Sequence, residues 1–456
     1  MTRPLTGLPS MLQRQTWYRY LPWRVHEWID RHVLESCYSR EPGPAWTFRD
    51  EVPDATLLFG GDIALHRWKP DDSLDRVFGD VREVFRVADF VALNLETVLS
   101  THEEQSGQTG RFLKASPTSI ACLQYLGVDA ATVANNHALD FGSTGFSESA
   151  GHLRDAGIAV CGVDVPELET GLAGATVQVV NGIRIGMVAA TDHLGGRRCP
   201  ADLSPVLVDS VALAAAVRVL KESCDLVVVQ LHWGYEYVMY PLRWHRDVAR
   251  GLVDVGADIV CCHHAHVVMG VERWNAGIIA HGLGNFWFGS MGKNHPASRF
   301  GILLRATVDR RGVVRADVVP VSTGADGAVR ADAQCLPGFG RLCAEVQSDR
   351  TVDRVEASRL AVEIASLLHD VHLRTVARDI VGLLERQSYL AVPRHDWLLA
   401  RAEQCGDPEL RAAADWLRYF RGAAREEVER SQLAPQPVLS DRESRADGRR
   451  LYGRWP

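Results

Sequence analysis

The stretch at residues 254–289, DVGADIVCCHHAHVVMGVERWNAGIIAHGLGNFWFG, decides how the rest of the chain is interpreted. Its first apolar run, residues 257–262, has the length and composition of a buried strand and leads into a His-His-Ala-His cluster. Residues two apart on an extended segment point to the same side, so we expect His264 and His266 to converge on one point and His263 to turn away. Because imidazole is the commonest metal-binding side chain, the pair indicates a metal site rather than surface or core histidines.

Polar residues also follow four apolar runs upstream, each with the pattern of a buried strand. In an open α/β sheet the carboxyl ends of the strands form the binding edge, so we expect these residues to meet there. Each has a simpler alternative when it is taken alone: Asp62 could cap a helix, Asn136 could belong to a turn and His232 could be a core residue. The residues at the strand ends are Asp62, Asn94 and Glu96, Asn136 and His137, and His232.

The composition is that of an ordinary globular protein. With 456 residues and 46% hydrophobic content, the chain can form one large domain and an accessory region. Acidic residues exceed basic ones by 57 to 50, a formal net charge of −7, which argues against a nucleic-acid partner. The ten cysteines form no Cys-x-x-Cys pair, and we find neither an export signal nor an apolar run of membrane-spanning length. We therefore expect a reduced, cytoplasmic protein with no transmembrane segment.

The hydrophobic pattern divides the chain into four regions. Residues 1–50 predict an N-terminal helical segment, which either packs on the main domain or binds a partner or a membrane surface. Strand and helix patterns alternate from 51 to 325, where Asn181-Gly182 predicts a tight hairpin turn. Residues 326–432 have the periodicity of a helical extension, and the mixture of Pro, Asp, Arg and Gly in 433–456 predicts a disordered tail.

Carboxylate, amide and imidazole side chains together suit divalent Mn, Fe or Zn. The predicted metal ligands are Asp62, Asn94, Glu96, Asn136, His232, His264 and His266. The set is large enough for one ion or for two adjacent ions. Two ions about 3.5–4 Å apart would hold a phosphoryl oxygen and activate a bridging water, as in metallophosphatases. His137 adjoins Asn136 and would stabilise charge or protonate a leaving group.

Short motifs follow one another in order between about residues 55 and 290. They are Gly61-Asp62, Asn94-Leu95-Glu96, Ala134-Asn135-Asn136-His137 with Asp140 and Gly142, His232-Trp233-Gly234-Tyr235-Glu236-Tyr237, Gly256-Ala257-Asp258, His264-Ala265-His266 and Gly284-Asn285-Phe286. As an ordered set they resemble the CapA-like proteins of poly-γ-glutamate capsule biosynthesis, which are similar in fold to the calcineurin-like metallophosphoesterases. The resemblance implies a four-layer α/β/β/α sandwich with metal ligands on the loops after its strands.

The matching motifs also imply further site residues. The expected catalytic residues are His137, Asp140 and Glu236, and the expected substrate-binding residues are Trp233, Tyr235 and Asn285.

Two motifs differ from those of the phosphoesterases. Their Asp-x-His pattern after the first strand is absent, because two apolar residues follow Asp62 and the next histidine is His66. Asn94 and Glu96 occupy the motif in which phosphoesterases place a bridging aspartate. Both changes resemble the capsule family rather than the hydrolases.

Three functions fit these residues. The first, which the resemblance implies, is a metal-dependent enzyme that acts on a phosphorylated or γ-glutamyl, peptide-like substrate in a biosynthetic pathway. The second is a non-catalytic metal-binding scaffold for a ligase or synthetase partner, with the C-terminal helices as the docking element. The third is a general metallophosphoesterase, which the missing Asp-x-His pattern disfavours. Bound metal with measurable turnover would separate the first function from the second.

Overall fold

The computed structural model describes residues 44–106, 112–164, 174–192, 204–234, 243–289, 296–331 and 339–347, together with the single residues Leu172, Leu194, Glu236 and Pro241. Contacts divide the chain into two compact units. The first, Cys37–Pro241 and His245–Gln347, contains nearly all of the described residues, and the second comprises Met1–Ser36, Leu242–Trp244 and Ser348–Pro456. Residues 1–43 of the predicted N-terminal segment, residues 348–432 of the predicted helical extension and the predicted tail at 433–456 lie outside the described residues.

Strands and helices alternate along most of the described chain. The strands are β1 Trp46–Thr47, β2 Ala55–Ile63, β3 Phe90–Leu95, β4 Val98–Leu99, β5 Lys114–Ala115, β6 Ala130–Thr132, β7 Ala159–Cys161, β8 Val163–Asp164, β9 Ala175–Val180, β10 Ile183–Thr191, β11 Ser204–Pro205, β12 Leu226–His232, β13 Ile259–His263, β14 Val271–Trp274, β15 Gly277–Ala280, β16 Asn285–Trp287, β17 Phe300–Asp309, β18 Gly312–Thr323 and β19 Val329–Ala331. The α-helices are α1 Leu74–Arg86, α2 Ile120–Leu126, α3 Gly142–Asp155, α4 Ser210–Ser223, α5 Arg243–Asp254 and α6 Phe339–Gln347. Short 3-10 helices lie at Leu65–Arg67, Pro117–Ser119 and Pro296–Arg299.

Most of the strands belong to two mixed sheets. In the first sheet the strand order is β1-β18-β17-β2-β3-β6-β7, with β16 beside β2 and β19 beside β18. In the second sheet the order is β14-β15-β13-β12-β10-β9. The strands β2, β3 and β6 run parallel, as do β10, β12 and β13. The carboxyl ends of each parallel set therefore lie along one edge of their sheet.

The two sheets face each other across an apolar core. Because alternate residues of a strand point to opposite faces, Leu57 and Phe59 of β2 join Ile185 and Met187 of β10 in this central core. Leu58 points the other way and packs in the cluster that contains the buried face of α1. Helix α4 packs against β10 and β12 of the second sheet. This is the predicted four-layer α/β/β/α arrangement, and the fold class is confirmed.

Strand β2 continues past Phe59, where its apolar run ends, as far as Ile63. Its register against β3 shifts between Phe59 and Asp62, and beyond the shift its other neighbour is β16 rather than β17. The Asp62 N–H donates to the Gly284 carbonyl oxygen at 3.0 Å. A Cβ atom on Gly61 would lie 1.9 Å from that same oxygen, so only glycine fits there. The irregular register thus presents the Asp62 carboxylate at the edge of the sheet.

The hairpin predicted at Asn181-Gly182 is confirmed, since β9 and β10 pair antiparallel around it and both turn residues have left-handed φ angles of 50° and 79°. Strand β19 lies beyond residue 325, the predicted end of the α/β region, and continues the first sheet. Helix α6 packs against β14.

Within the ranges described above, no helix combines the length and the apolar character that a membrane crossing requires.

Candidate metal centre

The carboxyl ends of strands from both sheets bring the predicted metal ligands together. The strands β2, β3 and β6 carry or precede Asp62, Asn94, Glu96 and Asn136, and the strands β12 and β13 precede or carry His232, His264 and His266. Each of these side chains is buried, with at most 7% of the residue exposed. The seven residues form one continuous buried polar cluster.

Glu96 lies at the centre of this cluster. Its Oε1 atom is 3.7 Å from His232 Nε2, 3.8 Å from His266 Nε2 and 3.9 Å from His137 Nε2. The residue is fully buried, and neither of its carboxylate oxygens has a hydrogen-bond partner among the described residues. A buried carboxylate without donors is unfavourable unless a cation neutralises it. The surroundings of Glu96 therefore fit a metal ion.

Two groups of three side chains could each hold an ion, and the two groups share Glu96. In one group Glu96 is joined by His232 and His264, and in the other by Asp62 and His266. Within each group the candidate ligand atoms lie within 4.8 Å of one another. Carboxylate oxygens mixed with imidazole nitrogens suit divalent Mn, Fe or Zn. Glu96 belongs to both groups, so its carboxylate would help to hold an ion in either of them.

Asp62 is held by donors on both of its oxygens. Its Oδ1 accepts from Asn94 Nδ2 at 2.7 Å, and its Oδ2 accepts from the His264 N–H at 3.2 Å. His263 Nδ1 and His266 Nδ1 lie 3.4 and 3.3 Å from the carboxylate. Burial alone would raise the pKa of Asp62, but hydrogen bonds and charge from His263 and His266 hold the pKa well below its usual value. Asp62 is therefore ionised, the form that binds a metal.

The pKa values of Glu96 and His266 are both raised. Burial, together with the charges of Asp62, Glu236 and Asp140, raises the pKa of Glu96 well above its usual value, although His266 opposes the shift. Burial lowers the pKa of His266, but the charges of Glu96 and Asp62 and a hydrogen bond to Asp62 outweigh it and raise the pKa to about 10. A bound cation would favour ionised Glu96 and neutral His266 instead.

Three asparagines connect the ligands. Asn94 Nδ2 lies 2.7 Å from Asp62 Oδ1 and 3.2 Å from His232 Nδ1. Asn136 Oδ1 lies 2.9 Å from His232 Nε2. Asn135, which the sequence did not single out, donates to Asn94 Oδ1 at 3.3 Å. Its position directly before Asn136 is the one signal in the sequence that could have indicated it.

His137 and Asp140 form a hydrogen-bonded pair beside the cluster. His137 Nδ1 lies 2.8 Å from Asp140 Oδ2, and its Nε2 faces Glu96 Oε1 at 3.9 Å. The same Asp140 oxygen accepts from the Leu113 N–H at 2.6 Å, as a carboxylate oxygen does. The proton shared with Asp140 therefore sits on His137 Nδ1, and Nε2 is turned toward the metal ligands. The side chain of His137 is 13% exposed, more than that of Asp140, which is fully buried.

The backbone after β13 differs from the extended segment that the sequence predicts. His264 and His266 have φ angles of 84° and 56°, in the left-handed region. The two ring centroids lie 6.0 Å apart, and each ring joins a different candidate ligand group, with Glu96 common to both. The prediction that His263 turns away is wrong, since its Nδ1 lies 3.4 Å from Asp62 Oδ1. A backbone with left-handed residues at 264 and 266 does not keep the side-chain alternation of a strand.

The motif that begins at His232 contributes three expected site residues, Trp233, Tyr235 and Glu236, and the structure describes two of them. Trp233 is buried, and its ring centroid lies 4.6 Å from that of His245. Glu236 is half-buried, and its Oε2 atom has no hydrogen-bond partner in the described part of the chain. Its charge contributes to the raised pKa of Glu96, which shows that it lies near the cluster. Tyr235 lies outside the described residues.

Asn285 contacts a predicted metal ligand. It pairs with Asp62 where β16 runs beside β2. Its Oδ1 lies 2.9 Å from His266 Nδ1, and its Nδ2 donates to the Ser298 carbonyl oxygen at 2.7 Å. The carbonyl of Ser298 can only accept, so the Asn285 amide is oriented with its oxygen toward the His266 ring.

Comparison with known proteins places this cluster in a family. The PGA biosynthesis protein CapA of Bacillus subtilis (strain 168) is 29% identical over 283 residues, which cover 60% of this chain and 73% of that protein. The capsule biosynthesis protein CapA of Bacillus anthracis is 27% identical over 282 residues, which cover 59% and 67%. A solved 5′-nucleotidase precursor from Thermus thermophilus is 16% identical and covers 64% of this chain and 60% of its own, with a TM-score of 0.39, too low to support a conclusion.

The family match covers the whole cluster. Residues 56–290 match the family described as Bacterial capsule synthesis protein PGA_cap, a segment that runs from β2 to the end of β16 and includes all seven predicted metal ligands. This segment is more than half of the 456 residues. The chain therefore belongs to the bacterial capsule synthesis protein family PGA_cap.

Proposed function

We propose that the chain is a metal-dependent hydrolytic enzyme that acts on a γ-glutamyl, peptide-like or a phosphorylated substrate in a biosynthetic pathway of the poly-γ-glutamate type. The observation that carries the proposal is the buried Glu96 carboxylate, which two groups of metal-binding side chains share and which His137 Nε2 faces at 3.9 Å. The names of the two Bacillus relatives, which refer to PGA and capsule biosynthesis, support the choice of pathway.

The cluster would hold the ions, and its neighbours would handle the substrate. Bound divalent ions would supply Lewis acidity to a carbonyl or phosphoryl oxygen and lower the pKa of a water molecule. The ionised Asp62 and the shared Glu96 would contribute negative charge to the ions, and the histidines would contribute nitrogen lone pairs without charge. Burial of these side chains keeps bulk water away and strengthens each electrostatic interaction.

His137 would transfer the proton. Asp140 orients the ring by accepting from Nδ1, so Nε2 is the atom at which a proton is held or released. A protonated Nε2 can donate to the leaving nitrogen of an amide or to the leaving oxygen of a phosphate ester. The same pair would therefore serve either class of substrate, and an assay must separate them.

The proposal is tested by measuring metal content and turnover on the same preparations of the full chain. Wild type, Glu96→Gln and His137→Asn are analysed for bound metal and then assayed on poly-γ-glutamate and on bis(p-nitrophenyl) phosphate with added Mn²⁺. We expect the wild type to contain metal and to hydrolyse one of the two substrates. Glu96→Gln should lose metal, whereas His137→Asn should keep it and lose about 10²–10⁴-fold in kcat.

Each result distinguishes between alternatives. Turnover of the polymer identifies a γ-glutamyl substrate, and turnover of the diester identifies a phosphorylated one. Metal without turnover of either substrate would favour the non-catalytic scaffold for a ligase partner. A wild type without metal, or equal metal in wild type and Glu96→Gln, would overturn the proposed centre.

A further inference from the structure

The side-chain amide of Asn135 can point only one way. Its Nδ2 donates to the Leu95 carbonyl oxygen at 2.9 Å, and its Oδ1 accepts from the His137 backbone N–H at 3.2 Å. A backbone carbonyl cannot donate and a backbone N–H cannot accept, so a flipped amide would lose both hydrogen bonds. Asn135 is 1% exposed, and water cannot replace what is lost.

The orientation of Asn135 fixes that of Asn94. The second hydrogen of Asn135 Nδ2 goes to Asn94 Oδ1 at 3.3 Å. Asn94 Nδ2 then points away from Asn135 and donates to Asp62 Oδ1 at 2.7 Å, with His232 Nδ1 3.2 Å away. The reversed amide would set an oxygen against the Asp62 carboxylate and two NH₂ groups against each other.

We propose that Asn94 is a positioning residue rather than a metal ligand, and that its side-chain NH₂ group holds the Asp62 carboxylate in place beside the other ligands. This inference rests on the metal centre of the proposed function. An NH₂ group offers only donors, so Asn94 could bind an ion only with its oxygen, which the fixed orientation turns toward Asn135 and away from Asp62. Asp62 accepts from Asn94 on one oxygen and from His264 N on the other, and two such donors fix the plane of the carboxylate.

This role explains why an amide rather than a carboxylate stands at position 94. Glu96 is the carboxylate that the two ligand groups share, so a second bridging carboxylate is not needed. A carboxylate at position 94 would also lie about as close to Asp62 as Asn94 Nδ2 does, 2.7 Å, where two like charges repel. Asn94 and Glu96 thus divide between them the two tasks of orienting Asp62 and joining the ions.

The first test compares metal affinity in Asn94→Asp and Asn94→Ala, measured by calorimetric titration of the metal-free full chain with Mn²⁺. A ligand oxygen would survive in Asn94→Asp, whereas a donor is lost in both variants. We therefore expect both to bind Mn²⁺ about tenfold or more weakly than the wild type. Asn181→Asp is the matched control, because Asn181 lies on an exposed hairpin turn, and it should bind Mn²⁺ as the wild type does.

The second test needs no metal. In the double variant Asp62→Asn/Asn94→Asp the donor and the acceptor are exchanged, and the hydrogen bond can form again with opposite polarity. We expect metal-free Asn94→Asp to unfold several degrees below the wild type and the exchanged pair to recover most of that loss in thermal midpoint.

The two tests can reject the positioning role of Asn94 without rejecting the proposed function, and the reverse also holds. Wild-type affinity in Asn94→Asp with weak binding in Asn94→Ala would make Asn94 an oxygen ligand and overturn the inference. Wild-type affinity in both variants, or no recovery of the thermal midpoint in the exchanged pair, would overturn it as well. If the wild type binds no metal, the proposed function fails, and the thermal midpoints alone decide whether Asn94 positions Asp62.

Discussion

Gly61 fixes the position of Asp62, because the Gly284 backbone occupies the space that a side chain would need. We expect Gly61→Ala to lower the free energy of unfolding by about 3 kcal/mol or more, since its Cβ would lie 1.9 Å from Gly284 O and backbone cannot move aside cheaply. The shift would also displace Asp62, so metal binding should weaken. Urea unfolding of the metal-free chain measures the first effect, and titration with Mn²⁺ measures the second.

Gly151→Ala is the matched control for this substitution. Gly151 lies inside helix α3, and a Cβ there would meet nothing within 4 Å. The change should leave stability unchanged or raise it by about 0.5–1 kcal/mol, because alanine favours a helix more than glycine does. Equal losses in the two variants would show that close approach to Gly284 is not what position 61 requires.

Asn285 is expected to act on metal binding through His266. Its oxygen accepts from His266 Nδ1, and Nε2 on the other side of the ring faces Glu96 at 3.8 Å. Asn285→Ala should weaken metal affinity about 10–100-fold, the usual effect of losing the partner of a ligating histidine. Asn285→Asp keeps an acceptor oxygen and should lose less. Calorimetric titration of both variants with Mn²⁺ makes the comparison.

The same variants test the substrate role that the sequence predicts for Asn285. A substrate contact would raise KM and leave metal affinity at its wild-type value. If Asn285→Ala behaves in that way, its hydrogen bond to His266 does not matter for the ions. The structure favours the opposite result, because both ends of the Asn285 amide already have partners within the fold.

The end of strand β13 shows where a sequence pattern fails at the scale of an element. The apolar run predicts the strand itself, since side-chain alternation and burial depend on neighbouring residues. The left-handed backbone at His264 and His266 could not be predicted, because glycine and asparagine are the usual signals for that region and neither occurs at residues 263–266. This backbone affects the metal centre, because it places the His264 and His266 rings in different ligand groups.

Arg49 connects the segment between β1 and β2 to the β17–β18 hairpin. Its guanidinium donates to the two oxygens of Asp309 at 2.8 and 2.6 Å and to Gly312 O at 3.1 Å. Hydrogen bonds from Arg49 are the main cause that lowers the pKa of Asp309 to about 2. Because this value lies below the unfolded pKa of about 3.9, the pair stabilises the fold above about pH 4, and the contribution is lost as the pH falls toward 2.

Asp309→Asn should therefore destabilise the fold in a pH-dependent way. We expect a loss of about 1–2 kcal/mol at neutral pH, less than the pKa shift alone would give, because the Arg49 side chain is 25% exposed and water screens the pair. The difference from the wild type should shrink between about pH 4 and pH 2. Urea unfolding of both proteins across that range checks the trend.

Arg86→Ala provides the control for an exposed surface charge away from this hairpin. Its side chain is 68% exposed, so its removal should leave the free energy of unfolding nearly unchanged. A loss in Asp309→Asn that stays constant across the pH range would mean that Asp309 acts through packing rather than through its charge.

At the scale of the whole molecule, the order of the motifs predicts both the fold class and the gathering of the ligands. Each motif follows a buried strand, and parallel strands end at one edge of their sheet, so local patterns are enough to place Asp62, Asn94 and His232 on binding edges. The sequence does not contain the arrangement of the two sheets across the central core. That arrangement brings His232, His264 and His266 of the second sheet to Glu96 of the first, so that both ligand groups share Glu96.

The shared carboxylate has a consequence for the stability of the whole fold. Burial raises the pKa of Glu96 above the unfolded value of about 4.3, so its stabilising contribution is present below that pH and is lost as the pH rises. At neutral pH the metal-free protein must therefore bury an unfavourable charge or take up a proton. A cation beside Glu96 removes this penalty, whereas the neutral side chain of Glu96→Gln avoids it without a cation.

Adding metal should therefore reverse the order of thermal stability of Glu96→Gln and the wild type. We expect the metal-free variant to unfold at a higher temperature than the metal-free wild type near pH 7.5. Free Mn²⁺ at 100 times its Kd should stabilise the wild type by about 2.7 kcal/mol, because the ions bind the folded state alone, and should leave the variant unchanged. Calorimetry of both proteins with chelator and with Mn²⁺ gives the four midpoints. A wild-type thermal midpoint that does not change with Mn²⁺, or an equal rise in the midpoints of both proteins, would contradict a metal centre built on Glu96.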